Sequence, residues 1–333
     1  EGLASEGRVN ATGDPIDWEA AMADYERATE IDPGFAAAWY HQLLYWESQM
    51  GVTDVGSGAS QLTADKMMTR FLAASDAAID AAADSDRAML YKAVKADGEL
   101  RFSDAVWFAE QFLASYPNDV VAYATLSNIV ASTRDAEVLK RYYPQMRRLA
   151  ADDPIELNVL LNNLLFAGLP DEAADMAREI LPKFPQHGFI TYQSHRILLW
   201  DGAAAEAKKW IPAIRGGDFP DENIWLVELR QACAEGDRDT AETLSRRLLA
   251  FDSGDPAGDS SLKFITHQIM GRPNEAHQVL LDLDLNIQEL RSYLGYPYFD
   301  HTLFPALRKI LEDQGIDRPF VKGPPYACSG QET

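Results

Sequence analysis

Small and apolar residues return at a fixed beat along the second half of this chain. Gly168 is followed five residues on by Ala173, Gly202 by Ala207, Gly236 by Ala241 and Gly271 by Ala276. The glycines advance by 34, 34 and 35 residues. A glycine accepts the left-handed turn that ends a helix. The polar residues after it start the next helix, and the small alanine one turn in allows that helix to approach its predecessor closely. The same face continues through Ala177 and Ile180, Ile211 and Ile214, then Ser245 and Leu248, at the spacing of a buried helical stripe. Pro33, Pro117, Pro154, Pro185 and Pro220 fall where a second helix stops, because proline cannot continue one. Self-similarity at this period predicts stacked helix pairs, each burying its apolar face against its neighbours.

The pattern divides into roughly eight helix pairs, over residues 1–30, 35–84, 87–115, 119–151, 155–183, 187–215, 221–250 and 256–282. The second pair departs from the beat. Gly51 to Ser60 reads as a Gly/Ser loop and Thr63 to Ala83 as a longer alanine-rich helix, so residues 51–86 form an irregular insertion. The fifth pair is expected to have a shortened first helix, since only fourteen residues separate Pro154 from Gly168. After the array (residues 1–283) come residues 284–333, read as capping helices and an extended tail. Asn286 to Leu294 is one helix, Phe304 to Asp313 another, and Gly323 onward is extended. Phe299, Phe304, Leu307 and Leu311 are suited to cover the array's last hydrophobic face.

The clearest single copy lies near the start. Ala21, Tyr25, Ala28 and Pro33 are followed by Trp39, and a second copy carries Ala105, Ala109, Phe112 and Pro117 with Tyr123 and Leu126. Here the chain resembles the tetratricopeptide repeat family, whose unit is 34 residues long. The resemblance implies an all-α fold, a right-handed α-α superhelix with a C-terminal capping helix. Shorter segments narrow it. Gly7-Arg8 ahead of the first copy, and Tyr298-Phe299-Asp300 with Phe304-Pro305-Ala306-Leu307 near the end, resemble repeat regions of bacterial signalling proteins. There the array follows a winged-helix or nucleotide cyclase domain; neither is visible in this sequence.

Composition narrows the partner. The formal charge is −22, whereas nucleic acid needs a basic face to displace counterions; a basic peptide or protein is more compatible, and the alternative is that the acidic surface serves only solubility. No stretch reaches the ~20 apolar residues of a membrane span. The sequence starts at Glu1 without an initiator methionine or a basic-then-apolar leader, which suggests a piece of something longer. Compartment stays open between the cytoplasm and the periplasmic part of an anchored protein. Cys233 and Cys328 suggest no disulfide framework: Cys233 reads as a small core or groove residue and Cys328 as a bystander in a loose tail. None of His41, His187, His195, His267, His277 and His301 pairs with another ligand at zinc spacing; His195 reads as a packed histidine. There is no phosphate loop, no nucleophile elbow and no calcium loop around Asp282 and Asp284. The expectation is no catalytic residue, no cofactor and no metal.

The family resemblance also implies a groove. Its lining comes from the first helix of each pair, at Ala37, Tyr40, Leu44 and Glu47; at Val121, Ala124, Asn128 and Ala131; at Phe189, Tyr192, Arg196 and Leu199; and at Asn223, Leu226, Arg230 and Cys233. Tyr40, Asn128, Tyr192, Arg196, Asn223 and Arg230 are the candidate partner-binding residues, since tyrosine gives rigid area and arginine and asparagine give directed donors. The alternative for each is packing against a neighbouring unit. A clamp for an acidic C-terminal peptide is disfavoured, because Tyr40, Ala124 and Tyr192 stand where basic residues belong; Arg196 and Arg230 together still suit one carboxylate. The reading is a protein- or peptide-binding scaffold, the sensory or docking part of a bacterial regulator. Its alternatives are a self-associating structural array and an unrecognised enzyme.

Overall fold

The computed structural model describes residues 15–50, 64–217, 219–254, 256–283 and 285–328. The Gly51 to Ser60 loop and the Gly7-Arg8 segment lie outside the described residues. Among the described residues the chain is all-α, with no strand. In order the helices are α1 (Pro15–Ile31), α2 (Ala36–Met50), α3 (Ala64–Ala81), α4 (Arg87–Gly98), α5 (Phe102–Ser115), α6 (Val120–Thr133), α7 (Ala136–Ala150), α8 (Pro154–Ala167) and α9 (Pro170–Ile180). They continue as α10 (Gly188–Trp200), α11 (Ala204–Ala207), α12 (Ile211–Arg215), α13 (Asp221–Glu235), α14 (Arg238–Leu249), α15 (Pro256–Ile269), α16 (Pro273–Leu281), α17 (Ile287–Ser292) and α18 (Pro305–Asp313). Neighbours in sequence pack as pairs, for example α4 with α5, α8 with α9, α13 with α14 and α15 with α16. First helices of successive pairs also touch: α8 with α10, α10 with α13, α13 with α15. The helices group into two compact units, one reaching Ile129 and one starting at Val130.

The repeat is most regular in the turns that close the first helices. Leu100, Arg134, Gly168, Gly202, Gly236 and Gly271 all have positive φ, from 56° to 95°. At each, the next residue's N–H reaches back five residues: Arg101 to Ala96 O, Asp135 to Val130 O, Leu169 to Leu164 O, Ala203 to Leu198 O, Asp237 to Ala232 O and Arg272 to His267 O, all within 2.8–3.1 Å. The positive-φ residue itself donates to the carbonyl three back, as Gly202 does to Leu199 O at 3.1 Å. This double bond is the Schellman arrangement, which satisfies carbonyls that a helix end leaves orphaned. The beat thus runs through six turns, two more than the glycines reveal, because Leu100 and Arg134 adopt the left-handed conformation without being glycine. Second helices then start on a side-chain cap where one is present: Asp135 accepts from Val138 N at 3.0 Å and Asp237 from Thr240 N at 3.2 Å.

Two expectations about elements are corrected. The first helix of the fifth pair, α8, has 14 residues, the same length as α6; it is not shortened. Pro154 sits inside its first turn, where the missing N–H costs nothing, with Asp153 accepting from Ile155 N at 2.9 Å. The second helix of the sixth pair is not continuous either. A 3-10 turn over Lys208–Trp210 separates α11 from α12, and Pro212 in the first turn of α12 explains the break.

The core follows the predicted stripes. Ala173, Ala177, Ile180, Ala207, Ile214, Ala241, Leu248 and Ala276 are all fully buried. In the first unit Ala21, Tyr25 and Ala38 form one cluster, with Ala28 packed against it. Trp39 donates its indole N–H to Pro33 O at 2.9 Å. Past the array, Asn286 and Glu289 cap α17 reciprocally: Asn286 Oδ1 accepts from Glu289 N at 3.1 Å, and Glu289 accepts from Asn286 N at 2.8 Å. Helix α18 ends in the same turn as the repeats, with Gly315 at φ 68° and Ile316 N bonded to Leu311 O at 2.9 Å.

Candidate functional site at the helix ends of the second unit

The last turn of each first helix in the second unit meets the chain's own C-terminal segment. Arg318 Nε donates to Ser132 O, at the end of α6, at 2.9 Å. The Tyr296 ring lies 6.3 Å from Phe166 in the last turn of α8. Tyr298 stacks on Trp200, the last residue of α10, at 6.5 Å, and Tyr326 meets the same indole edge-on at 6.2 Å. Cys328 forms a disulfide with Cys233 in α13. Cys328 N donates to Ile269 O, at the end of α15, at 2.9 Å. Ser132, Phe166, Trp200, Cys233 and Ile269 are 34, 34, 33 and 36 residues apart. Two stretches of the C-terminal region, one on each side of α18, therefore touch the equivalent place in five successive repeats.

Two devices hold them. The first is aromatic. Phe264, fully buried in α15, has Tyr293, Tyr296, Tyr298, Phe299 and His277 around it at 5.4, 5.8, 5.9, 6.3 and 5.5 Å. His277 Nε2 accepts from Asp300 N at 2.9 Å while its Nδ1–H donates to Pro273 O at 2.8 Å, which fixes the neutral tautomer. The second is the Arg318 guanidinium. It is buried, and besides Ser132 it donates to Phe299 O at 3.1 Å, Tyr296 O at 3.0 Å and Leu294 O. Carbonyl oxygens alone gather at these four bonds, so dipoles rather than a carboxylate solvate the charge. Burial, and then the positive charge of Arg134, pull its pKa down to about 9. It stays cationic at neutral pH.

The loose-tail expectation is thereby corrected. Cys328 is half of a disulfide and Cys233 is its partner, and Pro324 and Tyr326 are buried. A separation of 95 residues hides such a pairing, since proximity arises only when the segment folds back.

The six candidate groove residues separate into different surroundings. Tyr40, 7% exposed, stacks on Tyr91 at 4.7 Å in the first unit. Burial is the main cause that pushes its hydroxyl far above the usual tyrosine range. Asn128, on α6, is exposed. Tyr192, Arg196, Asn223 and Arg230 are buried, at 0, 3, 1 and 0% exposure. Tyr192 packs with Ile211, Ile214 and Val227, with Phe219 against the same cluster. The Arg230 guanidinium lies over the Tyr192 ring at 5.4 Å, and Arg196 lies over Phe166 at 5.0 Å while donating to Asn162 Oδ1. Arg196 is thus brought to the same Phe166 that the C-terminal segment touches, within one layer of packed rings and guanidinia.

A polar chain runs through the same layer. Gln231 Nε2 donates to Ala204 O at 3.1 Å and to Glu235 Oε1 at 2.9 Å, so its Oε1 is the acceptor left for His195 Nε2–H at 3.1 Å. His195 is fully buried. Burial first, then the Arg230 charge, lower its pKa to about 3 against the opposing Gln231 bond, so the ring is neutral at physiological pH. Elsewhere, a cleft of about 310 Å³ beside Arg318 is lined by His301, Arg308, Glu312, Asp317 and Phe320 among others. Among the described residues no group of three metal-ligating side chains converges, and no helix is long and apolar enough to cross a membrane.

Known proteins add little to this picture. No protein-family model and no curated protein matches the chain. A solved structure described as the P58(IPK) TPR domain aligns over 94% of this chain and 98% of its own, at 13% identity and a TM-score of 0.30. The repeat assignment rests on the six equivalent turns. Residue reasoning missed Phe166, Trp200 and Arg318. The first two had a readable signal: they are aromatic and stand one 34-residue repeat apart, and Trp200 directly follows the groove position Leu199. Arg318 had none.

Proposed function

We propose that this chain is a non-enzymatic scaffold that binds an extended segment of a partner protein along the helix ends of its repeats, as the sensory or docking part of a bacterial regulator. The observation that carries the reading is the seating of residues 316–328. This irregular stretch is held at four first-helix ends, by Arg318 Nε to Ser132 O at 2.9 Å, the Tyr326–Trp200 ring contact, the Cys328–Cys233 disulfide and a backbone bond, Cys328 N to Ile269 O at 2.9 Å. Helix ends that hold such a segment in cis have the chemistry to hold one in trans, with main-chain bonds for affinity and aromatic contacts for selection. The −22 charge favours a basic or neutral peptide and disfavours nucleic acid.

In the first unit the exposed polar candidate is Asn128, with exposed Val121 two turns before it on the same helix. Selection of random displayed peptides on the full chain, with and without a dithiol, tests the scaffold. Asn128→Ala is expected to weaken a peptide bound to the first unit by about 5-fold or more, the effect of losing roughly 1 kcal/mol. Equal affinity for every selected peptide removes Asn128 from the site. Failure to select any peptide in either redox state defeats the scaffold reading, and concentration-dependent light scattering then tests self-association. Arg196 and Arg230 are poor binding probes, because changing a buried guanidinium reads out stability first.

A further inference from the structure

We infer that residues 319–328 are a disulfide-clasped intramolecular ligand, whose release by a dithiol uncovers a peptide site on Trp200, Cys233 and Ile269. The inference rests on the scaffold reading and adds to it an occupant and a switch. The C-terminal segment is anchored unequally along its length. At Arg318 four bonds to backbone carbonyls and near-complete burial fix it. Beyond Arg318 the hold is discontinuous: Pro319, Phe320, Val321, Lys322 and Pro325 are exposed, and only Pro324 and Tyr326 are buried. Val321 N bonds Pro297 O at 2.9 Å, Tyr326 sits on Trp200, and Cys328 ends the strap with a backbone bond and the disulfide. The far end is therefore the part that a covalent bond must keep closed.

The clasp is also reachable. Cys233 is buried, while Cys328 is only partly so. A dithiol thiolate attacks Cys328 Sγ, the Sγ–Sγ bond breaks, and Cys233 leaves as a thiolate that takes up a proton. The reagent's second thiol then attacks the mixed disulfide, freeing Cys328 as a thiol and leaving the reagent as a disulfide. Two electrons pass from the reagent to the two cysteines. The vacated surface offers the Trp200 indole and the Ile269 carbonyl. Its occupant is a peptide with the strap's own chemistry, an extended proline- and tyrosine-containing segment like Gly323-Pro324-Pro325-Tyr326-Ala327.

The full chain is compared oxidised, after dithiothreitol, and as Cys328→Ser. Trypsin reports the strap: Arg318 precedes proline and resists cleavage, so Lys322–Gly323 is the strap's trypsin site. The rate of that cut is measured by mass spectrometry after quenching and full reduction. Binding is measured with a fluorescent peptide of residues 319–328 carrying Cys328→Ser. Freed of its clasp, the strap is expected to be cut at least about 10-fold faster, the ratio of its open populations, and the peptide to bind only those two forms. Equal cleavage in all three forms shows that the strap stays closed without its clasp and overturns the switch. Faster cleavage with no peptide binding overturns the peptide site. Cleavage spreading beyond Lys322 in the variant marks unfolding, and reduced wild-type chain then decides. A scaffold that selects peptides equally in both redox states fails this inference while the scaffold reading survives.

Discussion

The same repeat positions meet different fates in the two units. In the first, Ala37, Val121 and Asn128 are exposed and Leu44 and Glu47 half-buried; Tyr40 alone of the inner set considered there is covered, by Tyr91. In the second, Tyr192, Arg196, Leu199, Asn223, Leu226, Arg230 and Cys233 are all buried, and Phe189 remains exposed. Turn geometry does not separate them, since Leu100 closes α4 just as Gly202 closes α10. What differs is what lies on the helices: in the second unit rings and guanidinia interleave along α8, α10 and α13, and the C-terminal segment rests on their ends. A repeat position therefore specifies where a side chain is delivered. Whether it is a binding surface depends on what packs there: in the second unit Tyr192 meets Ile211, Ile214 and Val227, Arg230 lies over Tyr192 and Arg196 over Phe166.

Removing Arg318 is the strongest way to break that difference. Arg318→Ala leaves the carbonyls of Ser132, Leu294, Tyr296 and Phe299 without their shared donor in a buried place. Each unsatisfied group costs about 1–3 kcal/mol, so even with water entering the loss should be at least about 3 kcal/mol. Denaturant melts should show it, and hydrogen exchange should rise across 294–299. Exchange in α4 and α5 should not move. Unchanged exchange at 294–299 means that the aromatic cluster alone holds the segment.

Acid is the next lever, through His195. Its folded pKa, about 3, lies below the ordinary value of 6.5. A depressed histidine contributes stability that is complete above the unfolded pKa and is lost as pH falls towards the folded one. The window is therefore pH 6.5 down to about 3. From neutral pH to two units below the unfolded value, this group alone should remove about 2–3 kcal/mol. His195→Gln keeps an amide donor for Gln231 and cannot titrate. It should flatten the slope of stability against pH over that range by the same amount, whatever it does to stability at pH 7. An unchanged slope would falsify the assignment of the acid sensitivity to His195, and His277, also lowered by burial, becomes the next group to change.

Much of the fold was legible in the residues, and the reasons are local. A glycine every 34 residues, small residues one turn later and prolines at second-helix ends each act within a few residues of themselves. Leu100 and Arg134 escaped that logic because they take a glycine's conformation without its identity. The covered face escaped it for a different reason. Its determinants are Arg318 with Ser132, Tyr326 with Trp200 and Cys328 with Cys233, pairs separated by 186, 126 and 95 residues. No period links such pairs. The buried state of Tyr192, Arg196 and Arg230 follows from partners in adjacent repeats and was present in the sequence only as the alternative of packing against neighbours.

The turns offer the finest test of the comparison. Leu100 has φ 61° and its side chain is 3% exposed. Leu100→Gly relieves about 1 kcal/mol of left-handed strain but removes a buried leucine worth about 2–5 kcal/mol, so the change should destabilise the first unit by about 2 kcal/mol. Gly202 has φ 75°, and a Cβ built there would meet nothing within 4 Å. Gly202→Ala therefore adds strain without a clash and should cost only about 1 kcal/mol in the second unit. The two substitutions exchange the side chains of one turn and should both destabilise, the first by loss of burial and the second by strain. Chemical denaturation of each variant, with exchange localising the loss, measures both. If Leu100→Gly were neutral, strain and burial would balance at that turn, and leucine there would have no packing reason to replace the glycine of the repeat.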